Sequence, residues 1–225
     1  MSADGHTLRA GIVATCRAMN ACGLNQGTSG NLSVRHGGGL LITPSSLPYE
    51  AMEPADIVAL DPSGSFAAAP GRRPSSEWRF HRDILRARPD VAVVLHCHSV
   101  HATALACQHR AIPAFHYMVA VAGGHDIRCA PYATFGTQAL SQVAVAALDG
   151  RRACLLGQHG MIALGATLDA ALALAVEVEA LARIYLAALV LGEPPVLPGD
   201  EIDRVLEQMR KMGYGAAPND AGAAG

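Results

Sequence analysis

The sequence has no surplus of charge of either sign: 17 basic and 19 acidic side chains leave a net charge of −2 over 225 residues. Without a basic surplus, the chain lacks the broad field that attracts nucleic acid or an anionic membrane surface. Six cysteines are present, but none of them forms a Cys-x-x-Cys pair. A chain of this size with 51% apolar residues does not need disulfide staples. We therefore expect reduced, buried thiols in a cytoplasmic protein.

Long uninterrupted apolar runs are also missing. The most apolar stretch, residues 170–191, contains Glu177, Glu179 and Arg183, which indicates a buried or half-buried helix and argues against a membrane span. The first residues carry an acid where a secretory signal carries basic residues, so we expect no signal peptide. Neither a G-x-x-x-x-G-K-[ST] run nor a G-x-G-x-x-G unit occurs, which argues against a nucleotide cofactor.

The periodic segments that are present predict an α/β chain. Apolar residues at helical spacing, with caps and breakers, predict helices over 6–22, 77–88, 99–108, 136–147, 168–191 and 200–211. Short β-branched and aliphatic runs between turn residues predict strands over 32–35, 40–43, 57–60, 91–98, 153–156 and 161–164. We expect a single domain over residues 1–212 and a flexible tail rich in alanine and glycine over 213–225.

Histidines are concentrated at the end of one predicted strand, in the segment VVLHCHSVH. His96 and His98 project from the same strand face, about 6–7 Å apart, so they can converge on one metal ion. The alternative is that both are hydrogen-bonded structural residues. His159 at a Gln-His-Gly corner and Glu77 at a helix start would complete three imidazoles and a carboxylate, the set of a catalytic zinc site. Spacing alone does not show that these segments meet.

Three polar segments could bind an anion. The loop GTSGN offers Thr28, Ser29 and Asn31 as donors, and two serine pairs follow at 45–46 and 75–76. Backbone amides and hydroxyls at such places suit a phosphate. Each segment alone is typical of an ordinary turn or helix cap. Together, beside a candidate metal set, they indicate a small phosphorylated substrate.

Seven motifs in order carry a resemblance to a known family. They are GLNQGTSGNLSVR, LLITPSSLPYE, PSSEWRFH, the His-Cys-His strand, IPAFHYMVAVAGG, CAPYATFGT and QHGMIA, and the likeness around them runs over about residues 8–191. In this order and spacing they resemble the class II aldolase/adducin family, and within it most closely the branch of bacterial L-fuculose-1-phosphate aldolases. The resemblance implies a three-layer α/β sandwich whose central, mainly antiparallel sheet is flanked by helices. It also implies a C4 homotetramer with active sites between neighbouring subunits.

The same resemblance implies roles for individual residues. One Zn²⁺ per subunit is held by His96, His98 and His159, and Glu77 ligates it in the empty enzyme before moving off to act as the base. Tyr117 reaches in from the adjacent subunit as a proton donor to the aldehyde oxygen. The substrate phosphate is held by Thr28, Gly30, Asn31, Ser45, Ser46, Ser75 and Ser76.

The implied activity is zinc-dependent, reversible cleavage of a ketose 1-phosphate to dihydroxyacetone phosphate and an aldehyde. The substrate would be L-fuculose 1-phosphate or a related 5-deoxy- or 5-methylthio-ribulose 1-phosphate. Three other enzymes use the same scaffold: a pentulose-phosphate 4-epimerase, a methylthioribulose-phosphate dehydratase and a tetronate-phosphate decarboxylase. A non-catalytic scaffold of the adducin type is a further alternative, although that branch would be expected to lose the zinc histidines, which this chain keeps.

The chain departs from the family pattern at places that bear on the substrate. Ser46 stands where the nearest branch has a phosphate-loop glycine, and Met212 stands where that branch has a second catalytic tyrosine. Either Tyr214, two residues on, takes over that role, or the site recognises a more apolar aldehyde. Phe135 is either an aromatic residue near the aldehyde or a core residue. No chemistry is assigned to His6, His36, His81, His109 and His125.

Overall fold

The computed structural model describes residues 3–214 of the chain. In this part the helices are α1 (Ala3–Ala21), α2 (Trp78–Ala87), α3 (Val100–Cys107), α4 (Gln138–Ala147), α5 (Leu168–Leu189) and α6 (Gly199–Lys211). The strands are β1 (Asn31–His36), β2 (Gly39–Ile42), β3 (Val58–Leu60), β4 (Phe66–Ala67), β5 (Val93–Cys97), β6 (Arg128–Ala130), β7 (Ala153–Leu156) and β8 (Gly160–Gly165). The predicted α/β class, with helices flanking a sheet, is confirmed.

All eight strands belong to one sheet in the order β4-β3-β2-β1-β5-β8-β7-β6. The neighbours pair antiparallel except β6 and β7, which run parallel, so the sheet is mixed rather than mainly antiparallel as we expected. The physical reason is that α4 connects β6 to β7 and returns the chain to the same edge, as a crossover between parallel strands must. The sequence did not predict β4 or β6, because two or three residues carry no periodicity.

Alternate residues of the central strands enter two separate hydrophobic clusters, one on each face of the sheet. Val93, Leu95 and Cys97 of β5 pack with residues of α1, α3 and α5, whereas Val94 packs with α2 and α4. Because β5 lies between β1 and β8 and every one of its residues is buried, its sequence is almost continuously apolar. His96 is the exception, and it lies on the face that α2 covers.

Helix α2 is held on the sheet by a short apolar stripe. Phe80, Ile84 and Leu85 are buried against the sheet and α4. Burying each such side chain contributes about 1.5–3 kcal/mol. The stripe fixes the rotation of the helix, so that Glu77 at its N-cap and His81 one turn later face the sheet near the end of β5. This packing positions the candidate base.

The predicted C-terminal tail, 213–225, lies outside the described residues from position 215 onward. Its first members, Gly213 and Tyr214, follow the end of α6 and are described. The division into one domain and a tail therefore stays a prediction. None of the described helices combines the length and apolarity that a bilayer crossing needs.

Candidate active site

Three imidazoles meet at the end of β5. His96 lies within β5, His98 follows the last strand residue, and His159 comes from the corner between β7 and β8. Their ring centroids are 4.8–5.0 Å apart, and one nitrogen from each lies within 4.8 Å of the others. The structure thus brings together the three histidines that the sequence singled out. One detail differs: β5 ends at Cys97, so His98 lies beyond the strand and its ring is turned by 73° to that of His96.

Two glycines allow this close approach. A Cβ atom on Gly160 would lie 2.5 Å from the carbonyl oxygen of Cys97 and 2.8 Å from the ring of His98. Gly30, with φ of +77°, precedes the β1 residue that pairs with His96, and a Cβ there would lie 2.7 Å from the His96 carbonyl oxygen. A side chain at either position would displace the histidine strand.

Glu77 closes the cluster from the side of α2. Its Oε2 atom lies 3.3 Å from His96 Nε2, and its Oε1 atom lies 3.2 Å from His159 Nε2. The residue is only 6% exposed, and Oε1 accepts no hydrogen bond within the part of the chain that the structure describes. A buried carboxylate oxygen without a partner is costly. A cation bound among these side chains would supply the missing interaction.

Hydrogen bonding leaves His96 ready to bind a metal ion. Its Nδ1 atom lies 2.9 Å from the carbonyl oxygen of Met161. Because a carbonyl oxygen only accepts, Nδ1 carries the proton, and the lone pair is on Nε2. That lone pair faces His98 Nε2 at 3.1 Å and Glu77. Metal-ligating histidines commonly donate their second ring nitrogen in this way.

Burial keeps the three rings neutral at pH 7. Desolvation, followed by the nearby His98, lowers the pKa of His96 to about 3. Desolvation and then His96 lower the pKa of His159 to about 4, and desolvation also lowers the pKa of His98. Neutral imidazoles are the form that coordinates a metal. Three imidazoles fit Zn²⁺, and the fourth tetrahedral position would be open to Glu77 or, once Glu77 moves off, to a substrate oxygen.

A cleft of about 400 Å³ opens above this cluster. All of the predicted phosphate residues line it: Thr28, Gly30, Asn31, Ser45, Ser46, Ser75 and Ser76. Glu77, His98 and His159 also line it, whereas no lysine or arginine does. An anion in the cleft would therefore be bound by hydroxyls, backbone amides and the cation rather than by basic side chains.

Two of these cleft residues have features that the sequence did not disclose. Ser46 adopts φ of 60°, which is uncommon for a residue with a side chain, and its hydroxyl lies 3.4 Å from that of Ser45. The side-chain amide of Asn31 donates to Glu77 Oε2 at 2.9 Å, so it contacts the candidate base as well as facing the cleft.

Aromatic side chains occupy another part of the cleft. Phe135 and Tyr132 both line it and are 66% and 56% exposed. Of the two interpretations left open for Phe135, the structure therefore favours a place beside the substrate over a place in the core. An apolar surface in a cleft that otherwise offers hydroxyls is suited to a substrate with one polar and one apolar end.

Tyr117 and Tyr214 lie outside the cleft of their own chain. Tyr117 begins a 3₁₀ helix, Tyr117–Ala122, and is 51% exposed with its ring against His116. Tyr214 lines a different cleft, between α5 and that 3₁₀ helix. His101 is also absent from the metal cluster, because its Nδ1 atom lies 2.7 Å from Glu179 on α5.

Sequence reasoning missed one side chain near the cluster, His81. It was left without a role, yet it is fully buried and bonded to Asn31 and Ser33. Desolvation, and then the nearby His96, place its pKa well below the usual value, so it is neutral at pH 7. The available signal was spacing: His81 follows Glu77 by one helical turn, and Ser33 follows Asn31 by two strand positions.

Comparisons with known proteins agree with this geometry. The 5-methylthioribulose-1-phosphate/5-deoxyribulose-1-phosphate aldolase of Rhodospirillum rubrum is 56% identical over 209 residues, which cover 93% of this chain and 94% of the relative. The L-fuculose phosphate aldolase of Escherichia coli K12 is 50% identical over 203 residues, which cover 90% of this chain and 94% of the relative.

A solved structure titled L-fuculose 1-phosphate aldolase superposes with a TM-score of 0.87 at 38% identity, over 93% of this chain and 98% of the other. The family described as Class II Aldolase and Adducin N-terminal domain matches residues 10–186. With the histidine cluster and the serine-lined cleft in place, these matches establish that the chain belongs to the class II aldolase/adducin family.

Proposed function

We propose that this protein is a zinc-dependent class II aldolase that reversibly cleaves a ketose 1-phosphate to dihydroxyacetone phosphate and an aldehyde. The observation that carries the proposal is the buried Glu77 carboxylate, with one oxygen unpartnered, beside three imidazoles at the floor of a cleft. Bound Zn²⁺ would polarise the substrate ketone and stabilise the negative charge that develops when the carbon–carbon bond breaks.

Glu77 supports the proton transfer that this reaction needs. In the synthetic direction a base removes a proton from the hydroxymethyl carbon of dihydroxyacetone phosphate, and in cleavage the same group returns it. Glu77 is the carboxylate that lines the cleft beside the histidines, and it is buried enough to be shielded from water. An imine route is disfavoured, since the chain's one lysine, Lys211, is exposed at the end of α6.

The walls of the cleft support a substrate with a phosphate at one end. Thr28, Ser45, Ser46 and Ser75 offer hydroxyl donors to the phosphate oxygens, and the exposed rings of Tyr132 and Phe135 offer apolar surface to the aldehyde half. The apolar surface favours a 5-deoxy- or 5-methylthio-ribulose 1-phosphate over L-fuculose 1-phosphate. The name of the Rhodospirillum rubrum relative agrees with this preference.

We also propose a C4 homotetramer in which Tyr117 of a neighbouring subunit donates a proton to the aldehyde oxygen. Tyr117 is exposed and absent from the cleft of its own chain, which supports a role at another subunit's site. The two core clusters support a three-layer arrangement of the domain. Six free cysteines support a reducing compartment such as the cytoplasm.

A coupled cleavage assay tests the proposal. Zinc-loaded protein is incubated with a panel of ketose 1-phosphates, and dihydroxyacetone phosphate is followed through its enzymatic reduction with NADH. We expect Glu77→Gln to lower kcat about 10²–10⁴-fold, the usual contribution of a general base, while zinc is retained. Glu53→Gln, which removes an exposed carboxylate, serves as the control.

Four outcomes separate the elements of the proposal. If the wild type binds zinc but releases no dihydroxyacetone phosphate from any substrate, the aldolase assignment is wrong. Inversion, loss of water or release of CO₂ would indicate the epimerase, dehydratase or decarboxylase instead. A fully active Glu77→Gln variant would disprove the base assignment, and an unchanged Tyr214→Phe variant would remove Tyr214 from the reaction.

A further inference from the structure

Two pairs of polar residues, one pair on β1 and one pair on α2, contact each other beside the histidine cluster. Asn31 and Ser33 are two positions apart on β1, and both contact residues of α2. Glu77 and His81 are four positions apart and lie on the face of α2 that covers the sheet. The two-residue period of the strand and the 3.6-residue period of the helix thus place Asn31 and Ser33 opposite the α2 pair.

The four side chains form one continuous series of hydrogen bonds. Asn31 Nδ2 lies 2.9 Å from Glu77 Oε2, and Asn31 Oδ1 is bonded to His81 Nε2. His81 Nδ1 lies 2.7 Å from the hydroxyl of Ser33. The series runs from the candidate base into the protein interior.

The chemistry of the groups allows one arrangement of protons when Glu77 is ionised. The carboxylate only accepts, so the amide nitrogen of Asn31 faces it and the amide oxygen faces His81. His81 must then donate through Nε2, which leaves Nδ1 to accept a hydrogen bond from the hydroxyl of Ser33. A reversed Asn31 amide would place its oxygen against the carboxylate and its NH₂ group against the N–H of His81.

Very little of this series is exposed to bulk water. Ser33 and His81 have no exposed surface, Asn31 and Glu77 are nearly as buried, and the ring of Phe80 stacks on His81 at 4.5 Å. An unmade bond would therefore leave a buried polar group without a substitute partner. With His81 donating through Nε2, only one orientation of the Asn31 amide satisfies both His81 and Glu77.

The series also accounts for the asymmetry of the Glu77 carboxylate. Oε2 accepts a hydrogen bond from Asn31, whereas Oε1 has no hydrogen bond from any described residue and lies 3.2 Å from His159 Nε2. Holding one oxygen from behind fixes the rotation of the carboxylate. It leaves the other oxygen directed at the place where the cation would bind.

We propose that His81 is a positioning residue for Glu77: its Nε2–H fixes the Asn31 amide, which orients the carboxylate toward the cation and the substrate. The proposal rests on the proposed function in that Glu77 is taken to be the zinc ligand and base. Ser33 has the supporting role of holding the His81 ring in place through its hydrogen bond to Nδ1.

Two substitutions of the same residue test the proposal. The side-chain nitrogen of glutamine can occupy the place of histidine Nε2, whereas asparagine reaches only as far as Nδ1. We therefore expect His81→Gln to retain the bond to Asn31 and His81→Asn to lose it. The two variants are matched in chemistry and remove the same aromatic ring, so the loss of packing is shared.

The first readout is zinc affinity without substrate, measured by competition with a chromogenic chelator. Loss of an outer contact to a metal ligand typically costs 10–100-fold, so we expect about a tenfold weaker affinity in His81→Asn and about threefold or less in His81→Gln. The second readout is the cleavage assay, in which kcat of His81→Asn should fall by about tenfold while KM changes less.

A double-mutant cycle distinguishes an effect of His81 that passes through Asn31 from a general loss of stability. In an Asn31→Ala background, His81→Asn should cause no further loss of zinc affinity, because the link is already broken. If His81→Asn fails to fold, Ser33→Ala replaces it in the same cycle. Ser33→Ala should weaken zinc binding when Asn31 is present and should have no effect in the Asn31→Ala variant.

The outcomes decide between the two proposals. Equal losses in His81→Asn and His81→Gln, no loss in either, or additivity with Asn31→Ala would overturn the positioning role. A wild type that binds zinc but releases no dihydroxyacetone phosphate would overturn the aldolase assignment alone, since zinc affinity needs no turnover. A wild type that binds no zinc would overturn both.

Discussion

The floor of the cleft consists of buried or half-buried side chains on regular elements or directly beside their ends, whereas its rim consists of exposed side chains on loops. His96 and Asn31 lie on paired strands, and Glu77 caps a helix that an apolar stripe holds on the sheet. Ser46, Tyr132 and Phe135 lie in connecting segments and are exposed. A group on a buried strand has one position, and a group on an exposed loop can be replaced without disturbing the core. We infer that the floor determines the reaction and the rim determines the substrate.

Removing a ligand from the floor should have the largest effect. His159→Ala leaves two imidazoles and should release the metal, and with it several kcal/mol of transition-state stabilisation. Since 1.36 kcal/mol corresponds to tenfold, we expect kcat/KM to fall at least ~10³-fold. Zinc content measured on the same sample, with His125→Ala at an exposed histidine as the control, checks the cause. An active zinc-free variant would show that the floor does not determine the reaction.

Acid should destabilise the folded, metal-free protein through the histidines of the floor. Burial lowers the pKa of His96 to about 3 and that of His159 to about 4, whereas unfolded histidines titrate near 6.5. The unfolded chain therefore takes up protons that the folded, metal-free chain cannot. Stability is fully present above pH ~6.5 and is lost as the pH falls toward ~4.

Denaturant unfolding of metal-stripped protein between pH 7.5 and 4.5 measures this loss. The metal-free His159→Ala variant should show a shallower dependence, because one of the histidines with a lowered pKa is gone. A wild-type free energy of unfolding that stays constant over this range would show that these histidines are not buried in the neutral form.

At the rim, Ser46→Gly should separate binding from stability. The left-handed φ of 60° costs a residue with a side chain about 1–2 kcal/mol and costs glycine nothing, while glycine makes the unfolded chain about 0.4–1 kcal/mol more favourable. We expect unchanged or slightly higher thermal stability. Loss of one hydroxyl donor, worth about 1 kcal/mol, should raise KM and the inhibition constant of inorganic phosphate about fivefold. An unchanged inhibition constant of inorganic phosphate would show that the Ser46 hydroxyl does not bind the phosphate.

Phe135→Ala should leave stability nearly unchanged and act on substrate choice alone. Because the ring is exposed, stability should stay within about 0.5 kcal/mol of the wild type. The preference in kcat/KM for a 5-deoxy or 5-methylthio substrate over L-fuculose 1-phosphate should fall about tenfold, the scale of one lost apolar contact. Phe66→Ala, at an exposed ring outside the cleft, should leave the preference unchanged.

The two regions also differ in how far their residues could be predicted. His96, His98 and His159 were identified from the end of a buried strand and a glycine corner, and the structure brings them together. Those signals are local, because strand ends and caps are encoded by neighbouring residues. Ser46 was identified as a member of a serine pair in a loop, but its left-handed backbone was not, because serine there has no local signature.

The contacts of His81 could not be predicted from the sequence. Asn31 and Glu77 are 46 residues apart in sequence, and Asn31 and His81 are 50 apart. The periodicity of β1 and that of α2 do not predict which face of the strand the distant helix will cover. The parallel pairing of β6 with β7 was missed for the same reason, since a three-residue strand acquires its identity only from its partner.

The sequence by itself determined the donor groups, the α/β class and the elements that carry the histidines, because residue chemistry and short-range periodicity are local properties. Only the tertiary structure decided that Glu77 keeps one oxygen unpartnered, that His81 lies behind it, and that Tyr117 and Tyr214 are outside the cleft of their own chain. These facts depend on how helices and strands distant in sequence bury their apolar faces against one another. That packing is a property of the whole chain and not of any one segment.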